Sequence, residues 1–144
     1  MHKNVFAIGK CLQKMYNTKG RKIAEKHGIS VLEVALLNFL HNNPDADTAK
    51  DFSLFVHLSK SSISEAVDSL TKKGYLVGRQ DEADRRCIHL EIQESAKDIV
   101  ADALEMQEEF FELVLKGFSE DEAKTLDFLM DRVIDNIKEA SEKF

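Results

Sequence analysis

A short amphipathic helix followed at once by two short β segments sets the architecture of this chain. The helix has Ser59 at its N-cap position and Gly74 just past its C-terminus, and both residue types are favoured there. Its apolar residues recur at the spacing of a single buried stripe and are Ile63, Ala66, Val67 and Leu70. The opposite face is small and polar, which leaves one side of the helix free for contacts, although a merely solvated helix would have the same pattern.

The two β segments predict a hairpin. Residues 75–77 form a first short strand, and residues 86–92 alternate, with apolar side chains at positions 88, 90 and 92. The connection between them, residues 78–85, is polar apart from Ala83. A charged connection of this kind predicts a loop that projects into solvent.

Helical periodicity dominates the rest of the chain. It predicts a first helix over residues 3–18 that can extend to Lys26, a buried helix over residues 31–42 with Ser30 as its N-cap, and a short helix that begins at Thr48. A long helix over residues 95–116 and a last helix that begins at Ser119 follow. In the long helix the residues predicted to face the core are Ile99, Ala103, Met106, Phe110, Leu113 and Val114.

Composition excludes several protein classes. One proline and six glycines leave too little turn chemistry for an all-β fold, so the fold class is mainly α with a small β-hairpin. The 144 residues, 43% hydrophobic and 32% charged, fit one soluble domain. No apolar run approaches the ~18 residues that cross a bilayer, and the N-terminus has no signal-peptide pattern. We therefore predict a cytoplasmic protein with no membrane partner.

The net charge of −6 is unevenly distributed along the chain. Residues 1–30 carry +6 and residues 94–144 carry −9, whereas residues 48–93 hold seven bases and seven acids. A phosphate-binding surface is compatible with this distribution if the acidic segment points away from it. The neutral middle segment predicts modest and strongly salt-sensitive binding.

Two short helices and the hairpin together match a helix-turn-helix with a wing. Serine hydroxyls and free backbone N–H groups at a helix start can hold phosphate, and small side chains let a helix enter the major groove. Three arginines, Arg79, Arg85 and Arg86, are predicted to gather at the hairpin loop, from which they can reach a minor groove. Asp84 is predicted to pair with Arg86 and fix its direction.

The run from Asp47 to Val77 resembles the winged helix-turn-helix of the MarR family. The pattern Arg79-x-x-x-x-Asp84-Arg85-Arg86, followed by Leu90-x-Ile92, is similar to the wing motif of that family. The resemblance implies a homodimeric transcriptional regulator that binds a palindromic operator in double-stranded DNA. It further implies a repressor, since blocking a promoter is the usual outcome in the family, and relief by a small ligand or by thiol oxidation.

The resemblance also assigns roles to individual residues. It places the recognition helix over residues 60–73 in the major groove and the wing over residues 78–87 toward the minor groove. Positions that it assigns to DNA binding are Thr48, Lys60, Ser61, Ser62, Ser64, Asp84 and Arg86.

Glu65 departs from the basic or neutral residue that many relatives carry at this position. A carboxylate repels phosphate, but a glutamate can accept a hydrogen bond from cytosine N4. Glu65 therefore either specifies a C·G pair or weakens DNA binding. The second possibility leaves an alternative function open, a protein-interaction module on a winged-helix scaffold.

The chain ends carry more apolar residues than a monomer of this size needs. We predict a single domain over residues 1–144, with dimerisation helices over 1–30 and 117–144, the winged helix-turn-helix over 31–93 and a connecting helix over 94–116. A large exposed apolar patch marks an interaction surface, although the same residues could close the core of a monomer. The predicted dimerisation residues are Phe6, Ile8, Leu12, Val133, Ile134 and Ile137, with Phe144 beside them.

Other chemistry finds little support in the sequence. Cys87 and His89 share a strand face but are too few for a metal site, so we predict no metal and no cofactor. The absence of a phosphate loop or a nucleophile–base pattern predicts that the protein is not an enzyme. Cys11 in the first helix is a candidate redox sensor, with inert packing as the alternative. A small amphipathic effector is expected, but no residue identifies it.

Overall fold

The computed structural model describes residues 2–56 and 58–143, with side chains from Asn4 onward. The described chain contains six α-helices and one antiparallel hairpin, which agrees with the predicted mainly α winged-helix fold. Their bounds are α1 His2–His27, α2 Val31–Asn42, α3 Ala49–Phe55, α4 Lys60–Lys72, β1 Leu76–Gln80, β2 Ile88–Ile92, α5 Lys97–Val114 and α6 Glu120–Ser141. A short 3-10 helix, Glu94–Ala96, leads into α5.

Residues 1–108 and residues 109–144 form two compact units. The first unit holds α1 to α4, the hairpin and most of α5, and the second holds the last turns of α5 and all of α6. The predicted division of the chain into dimerisation, DNA-binding and connecting segments stays a prediction.

Three helices begin at a capping box. The hydroxyls of Ser30, Thr48 and Ser119 each accept a hydrogen bond from the backbone N–H three residues on, and the acidic residue at that position binds back to the cap. Each box satisfies two backbone donors that have no partner inside the helix. The three predicted helix starts are therefore confirmed.

The core of the first unit is centred on α2. Val34, Leu36 and Leu37 are almost wholly excluded from solvent, as the apolar sequence of this helix predicted. The other elements of the unit contribute side chains to the same core, among them Phe52 from α3, Leu70 from α4, Leu76 from β1 and Ile99 from α5. The helix-turn-helix and the wing thus share one hydrophobic core.

The first strand of the hairpin is longer than its sequence indicated, whereas the second, predicted over residues 86–92, begins only at Ile88. β1 extends to Gln80 because residues 76–80 pair in register with residues 92–88, so pairing overrides the poor strand propensity of this segment. Ile88 passes so close to Gly78 that a Cβ at position 78 would lie 2.9 Å from Ile88 Cγ2. Position 78 therefore requires glycine unless Ile88 moves.

The second unit exposes a continuous apolar surface on α6. None of the described residues of α6 is buried. The apolar stripe of α6 has helical spacing and consists of Leu126, Leu129, Met130, Val133, Ile134 and Ile137. Leu113, near the end of α5, was predicted to face the core but is 56% exposed, so that prediction is wrong for this residue.

The first turns of α1 are also exposed. Phe6 is 80% and Ile8 56% accessible, while Leu12 is half-buried. Phe144, which the sequence grouped with the apolar ends, lies outside the described residues. None of the helices among the described residues is both long enough and apolar enough to cross a membrane.

Candidate nucleic-acid interface

A cluster of serine hydroxyls forms the start of α4. Ser59 Oγ accepts a hydrogen bond from the backbone N–H of Ser62 at 3.2 Å and lies within 3.0 Å of the hydroxyls of Ser61 and Ser62. The cap therefore fixes the residue at which α4 begins and the direction of its first turn. Free N–H groups and the positive end of the helix dipole therefore point outward at a site suited to a phosphate.

The two faces of α4 differ as the sequence predicted. Ile63, Ala66 and Leu70 are buried against the core. The side chains of the predicted recognition positions lie on the solvent side, with Ser62 half-buried and Lys60, Ser61, Ser64 and Glu65 exposed. Asp68, one turn after Glu65, is exposed too, so the centre of this face is acidic.

The C-terminal end of α4 is closed by Gly74. Its φ of +78° lies in the left-handed region, which glycine enters without a steric penalty. The N–H of Gly74 binds the carbonyl of Thr71 and the N–H of Tyr75 binds that of Leu70, the two bonds of a Schellman motif. The preceding Lys73 reaches the buried carboxylate of Glu33 on α2 at 3.3 Å, so α4 is held at both ends.

The hydroxyl of Thr48 is fully engaged in capping α3. Its hydroxyl lies 2.7 Å from Asp51 Oδ2 and accepts the N–H of Asp51 at 3.1 Å. The hydroxyl proton therefore goes to Asp51, and Thr48 can offer a DNA phosphate no hydroxyl donor while this cap is intact.

Two carboxylates order the wing loop, residues 81–87. Asp81 Oδ2 accepts the N–H groups of Ala83 and Asp84, and Asp84 Oδ1 accepts the N–H of Arg86 at 3.0 Å. Asp84 thus contacts Arg86 through the backbone amide rather than through the predicted guanidinium pair. The loop is closed by a bond from the N–H of Asp81 to the carbonyl of Cys87, so its shape does not depend on the arginine side chains.

The three wing arginines occupy different environments. Arg85 and Arg86 are exposed in the wing loop. Arg79 lies on β1, where its guanidinium makes an ion pair with Glu91 of β2 at 2.7 Å. The predicted gathering of all three at the loop is therefore wrong for Arg79, because cross-strand pairing engages it within the sheet.

Comparison with known proteins shows which family of winged helices the chain is similar to. The family model that matches residues 27–86 is described as MarR family, and those residues contain α2, α3, α4, β1 and nearly all of the wing loop. Over these residues, fewer than half of its length, the chain is similar to the MarR family. A sequence comparison with curated proteins gives no match.

Solved MarR-family structures have the same fold at low sequence identity. A crystal structure of MarR aligns with a TM-score of 0.77 at 19% identity over 97% of this chain and 95% of that one. A MarR family transcriptional regulator from Listeria monocytogenes, complexed with a 26-mer DNA, aligns at 0.74 and 17% identity over 97% and 90%. An organohalide-sensing regulator in its 2,4-dichlorophenol-bound form aligns at 0.62 and 16% identity over 94% and 79%. MarR-family proteins are transcriptional regulators, not enzymes.

Sequence reasoning missed the role of a histidine that contacts both the start of the helix-turn-helix and the wing loop. His89 on β2 lies with Nδ1 2.7 Å from Asp47 Oδ1 and Nε2 2.9 Å from Asp81 Oδ1. Hydrogen bonds to Asp47 and then Asp81 raise the pKa of His89, and the bond from His89 is the main cause that lowers the pKa of Asp81. The alternation of residues 86–92 had placed His89 on the polar face, but Asp47 is too distant in sequence to be recognised as its partner.

The two cysteines of the chain differ in environment. Cys11 on α1 is exposed, and its assignment as a redox sensor stays a prediction. Cys87 is partly buried at the end of the wing loop. Desolvation and the nearby carboxylates, Asp81 first among them, raise the pKa of its thiol. A raised pKa reduces the thiolate fraction, so Cys87 is poorly suited to react with an oxidant.

Replacing the cap of α4 is expected to destabilise the fold modestly. Ser59→Ala removes the acceptor of the Ser62 N–H, and the loss of a serine N-cap costs about 1 kcal/mol of unfolding free energy. Urea denaturation followed by circular dichroism measures the change. Ser61→Ala is the matched control, because the Ser61 hydroxyl contacts Ser59 Oγ without capping a backbone N–H. Equal losses in both variants would contradict the capping role.

Proposed function

We propose that this protein is a homodimeric, sequence-specific DNA-binding transcriptional regulator. The observation that supports this most strongly is the combination of an exposed, serine-capped α4 with an ordered wing loop that presents Arg85 and Arg86. Both belong to the same compact unit and the same hydrophobic core. In this proposal the recognition helix, residues 60–73, lies in the major groove. The wing, residues 78–87, reaches toward the minor groove.

The proposed contacts to DNA are of two kinds: contacts to backbone phosphates position the protein, and contacts to base edges read the sequence. Lys60, Ser61 and the free N–H groups at the start of α4 bind backbone phosphates, which fixes the register of the protein on DNA. Ser64 and Glu65 are one turn further along the exposed face and contact base edges. Ser62 and Thr48 act by holding the starts of α4 and α3, Ser62 through the backbone N–H that Ser59 caps and Thr48 through its hydroxyl.

The wing contributes through Arg85 and Arg86 in this proposal. Asp84 orders the loop through the backbone N–H of Arg86, which leaves the guanidinium free to enter a narrow minor groove. Arg79 is engaged with Glu91 and contributes less than the sequence indicated.

Dimerisation is proposed from the apolar surfaces at the two chain ends. The apolar stripe of α6 on the second unit and the first turns of α1 on the first unit both expose large hydrophobic side chains. Exposed apolar surface of this extent is typical of an interface. A twofold dimer would set two α4 helices on successive major grooves, roughly 34 Å apart, and would select a palindromic operator.

We further propose that the protein acts in the cytoplasm as a repressor that a small amphipathic ligand releases. Binding to an operator within a promoter excludes the polymerase, which accounts for repression without any further activity. The structural neighbour bound to 2,4-dichlorophenol supports an aromatic effector of this size.

Selection from a random duplex DNA library tests the proposed function. Purified protein is incubated with the library at low and at moderate salt, and the recovered duplexes are sequenced. Enrichment of a palindrome with half-sites about one helical turn apart is expected, with recovery falling steeply as salt rises. Diffuse binding, or none, would overturn the proposal and favour a protein-interaction module, for which the acidic Glu65 and Asp68 face is the supporting observation.

Glu65→Gln is expected to change the base preferred at one position in each half-site. A carboxylate accepts from cytosine N4, whereas an amide can both donate and accept, so the preference moves away from C·G toward A·T. The same library selection measures it, with Asp68→Asn as the control for removing one negative charge from the same face. An unchanged selected sequence with higher affinity in both variants would mean that Glu65 only repels phosphate.

A further inference from the structure

We propose that His89, as a doubly protonated imidazolium, is a positioning residue that fixes the wing against the helix-turn-helix. Its deprotonation releases that link and weakens DNA binding. This inference rests on the proposed function, since it concerns the regulation of the same DNA-binding surface.

The protonation state follows from the contacts of the ring. Both nitrogens of His89 lie within 3 Å of a carboxylate oxygen, Nδ1 against Asp47 and Nε2 against Asp81. A neutral imidazole has a single N–H, so one of its two nitrogens would then direct a lone pair at a carboxylate. Only the imidazolium, with two N–H donors, satisfies both contacts.

The two aspartates belong to different parts of the DNA-binding unit. Asp47 immediately precedes Thr48, the N-cap of α3, and its carbonyl accepts the N–H of Leu90 at 2.7 Å. Asp81 begins the wing loop, and its second oxygen accepts the N–H groups of Ala83 and Asp84. One side chain on β2 therefore connects the start of the helix-turn-helix with the turn that presents the wing arginines.

Other charged groups near His89 also influence whether its ring is charged. Arg79 is the register partner of His89 on β1, but its charge is offset by the ion pair with Glu91. His41 lines the same shallow pocket from α2, and Asp84 and Asp51 add further negative charge near Cys87 and hence near this end of β2. Asp47 and Asp81 remain the two groups in direct contact, and they favour the charged ring.

The pH range of the link follows from the directions of the two shifts. The pKa of His89 is raised above its ordinary value, so its contribution is complete in mild acid and is lost as pH rises through the raised pKa. The pKa of Asp81 is lowered, so its contribution is present above the ordinary range and is lost as pH falls through the lowered pKa. The link is therefore intact between these limits, and the physiologically accessible change is its loss on the alkaline side.

Two measurements test the proposal. Nitrogen-15 NMR of the histidine rings across pH reports the protonation of His89 directly, with amide shifts of Asp84 and Arg86 as reporters of the wing loop. DNA affinity is measured in parallel by fluorescence anisotropy, on a selected operator, from about pH 6 to about pH 8.5. The variants are His89→Gln and Asp47→Asn, and His41→Gln is the matched control on the same pocket.

The expected result is a His89 ring that stays doubly protonated above the usual range and wing-loop amides that shift as it titrates. Wild-type affinity is expected to fall roughly threefold to tenfold over this pH range, and His41→Gln to behave like wild type. His89→Gln and Asp47→Asn are expected to lose most of this dependence, and combining them should add little because both break one link.

A His89 ring that titrates at or below its ordinary pKa would overturn the proposal, as would an unchanged pH dependence in His89→Gln. If no duplex is bound at any pH, the proposed DNA-binding function fails instead. In that case the NMR titration still decides the link, because movement of the wing-loop amides with His89 supports it and their indifference refutes it.

Discussion

Arg86→Glu is expected to abolish specific DNA binding while the protein remains folded. The side chain is exposed, and the wing loop is ordered by bonds to backbone amides from Asp81 and Asp84 rather than by the guanidinium. Reversal replaces an attraction to phosphate with a repulsion, and the proposed twofold dimer would present the change twice. Affinity for a selected operator, measured by fluorescence anisotropy, should fall roughly 100-fold or more.

Arg132→Glu is the matched control for net charge. It makes the same change on α6 in the other compact unit, away from the apolar stripe. Circular dichroism and thermal unfolding should be close to wild type for both variants. Retention of full affinity by Arg86→Glu would remove the wing from the mechanism, and an equal loss in Arg132→Glu would indicate only a general effect of charge.

The double variant Ile134→Glu/Ile137→Glu is expected to be monomeric. Both isoleucines lie on the apolar stripe of α6 and are 42% and 59% exposed in the single chain. Burying an isoleucine contributes about 1.5–3 kcal/mol, and a buried unpaired glutamate costs several more, so the dimer dissociation constant should rise at least roughly 100-fold. Sedimentation velocity at micromolar concentration measures the change.

Phe128→Glu is the control for this prediction, because Phe128 is an exposed apolar residue on the opposite side of α6. It introduces the same type of charge outside the stripe and should leave the proposed dimer intact. Loss of the dimer in Phe128→Glu with retention in the double variant would place the interface on the other face of α6. Operator affinity should fall together with dimerisation, since a monomer engages only one half-site.

Features with a local cause could be predicted from the sequence. Ser30, Thr48 and Ser119 were recognised as helix starts because a cap and its partner lie within one turn of each other. Gly74 was recognised as a helix stop because glycine is favoured just past the last residue of a helix. The buried face of α4 follows from a period that any amphipathic helix repeats.

Features that depend on tertiary contacts could not be predicted in this way. The end of β1 is set by pairing with β2, and Arg79 is engaged by Glu91 through that same pairing. Leu113 continues the periodicity of α5 into the last turns of the helix, where the described fold supplies nothing to cover it. Periodicity identifies a face of a helix but not where along the helix the core ends.

The contacts of His89 are the clearest case of this limit. Asp47 and His89 are 42 positions apart, and nothing in either local pattern distinguishes them from other solvated polar residues. The sequence offered one hint, because Asp81 in the wing loop lies eight positions before His89. Only the packing of β2 beside the start of α3 turns these residues into one cluster.

A set of uncharged side chains also links α1, α2 and α5. Asn38 Nδ2 donates to Tyr16 Oη at 2.8 Å and to Gln107 Oε1 at 3.0 Å, and Asn42 Nδ2 donates to the same Gln107 oxygen. Amides do not ionise, and burial raises the pKa of Tyr16 further above neutrality. A change in the charge of His89 can therefore act on the wing loop while the hydrogen bonds among Tyr16, Asn38 and Gln107 stay unchanged.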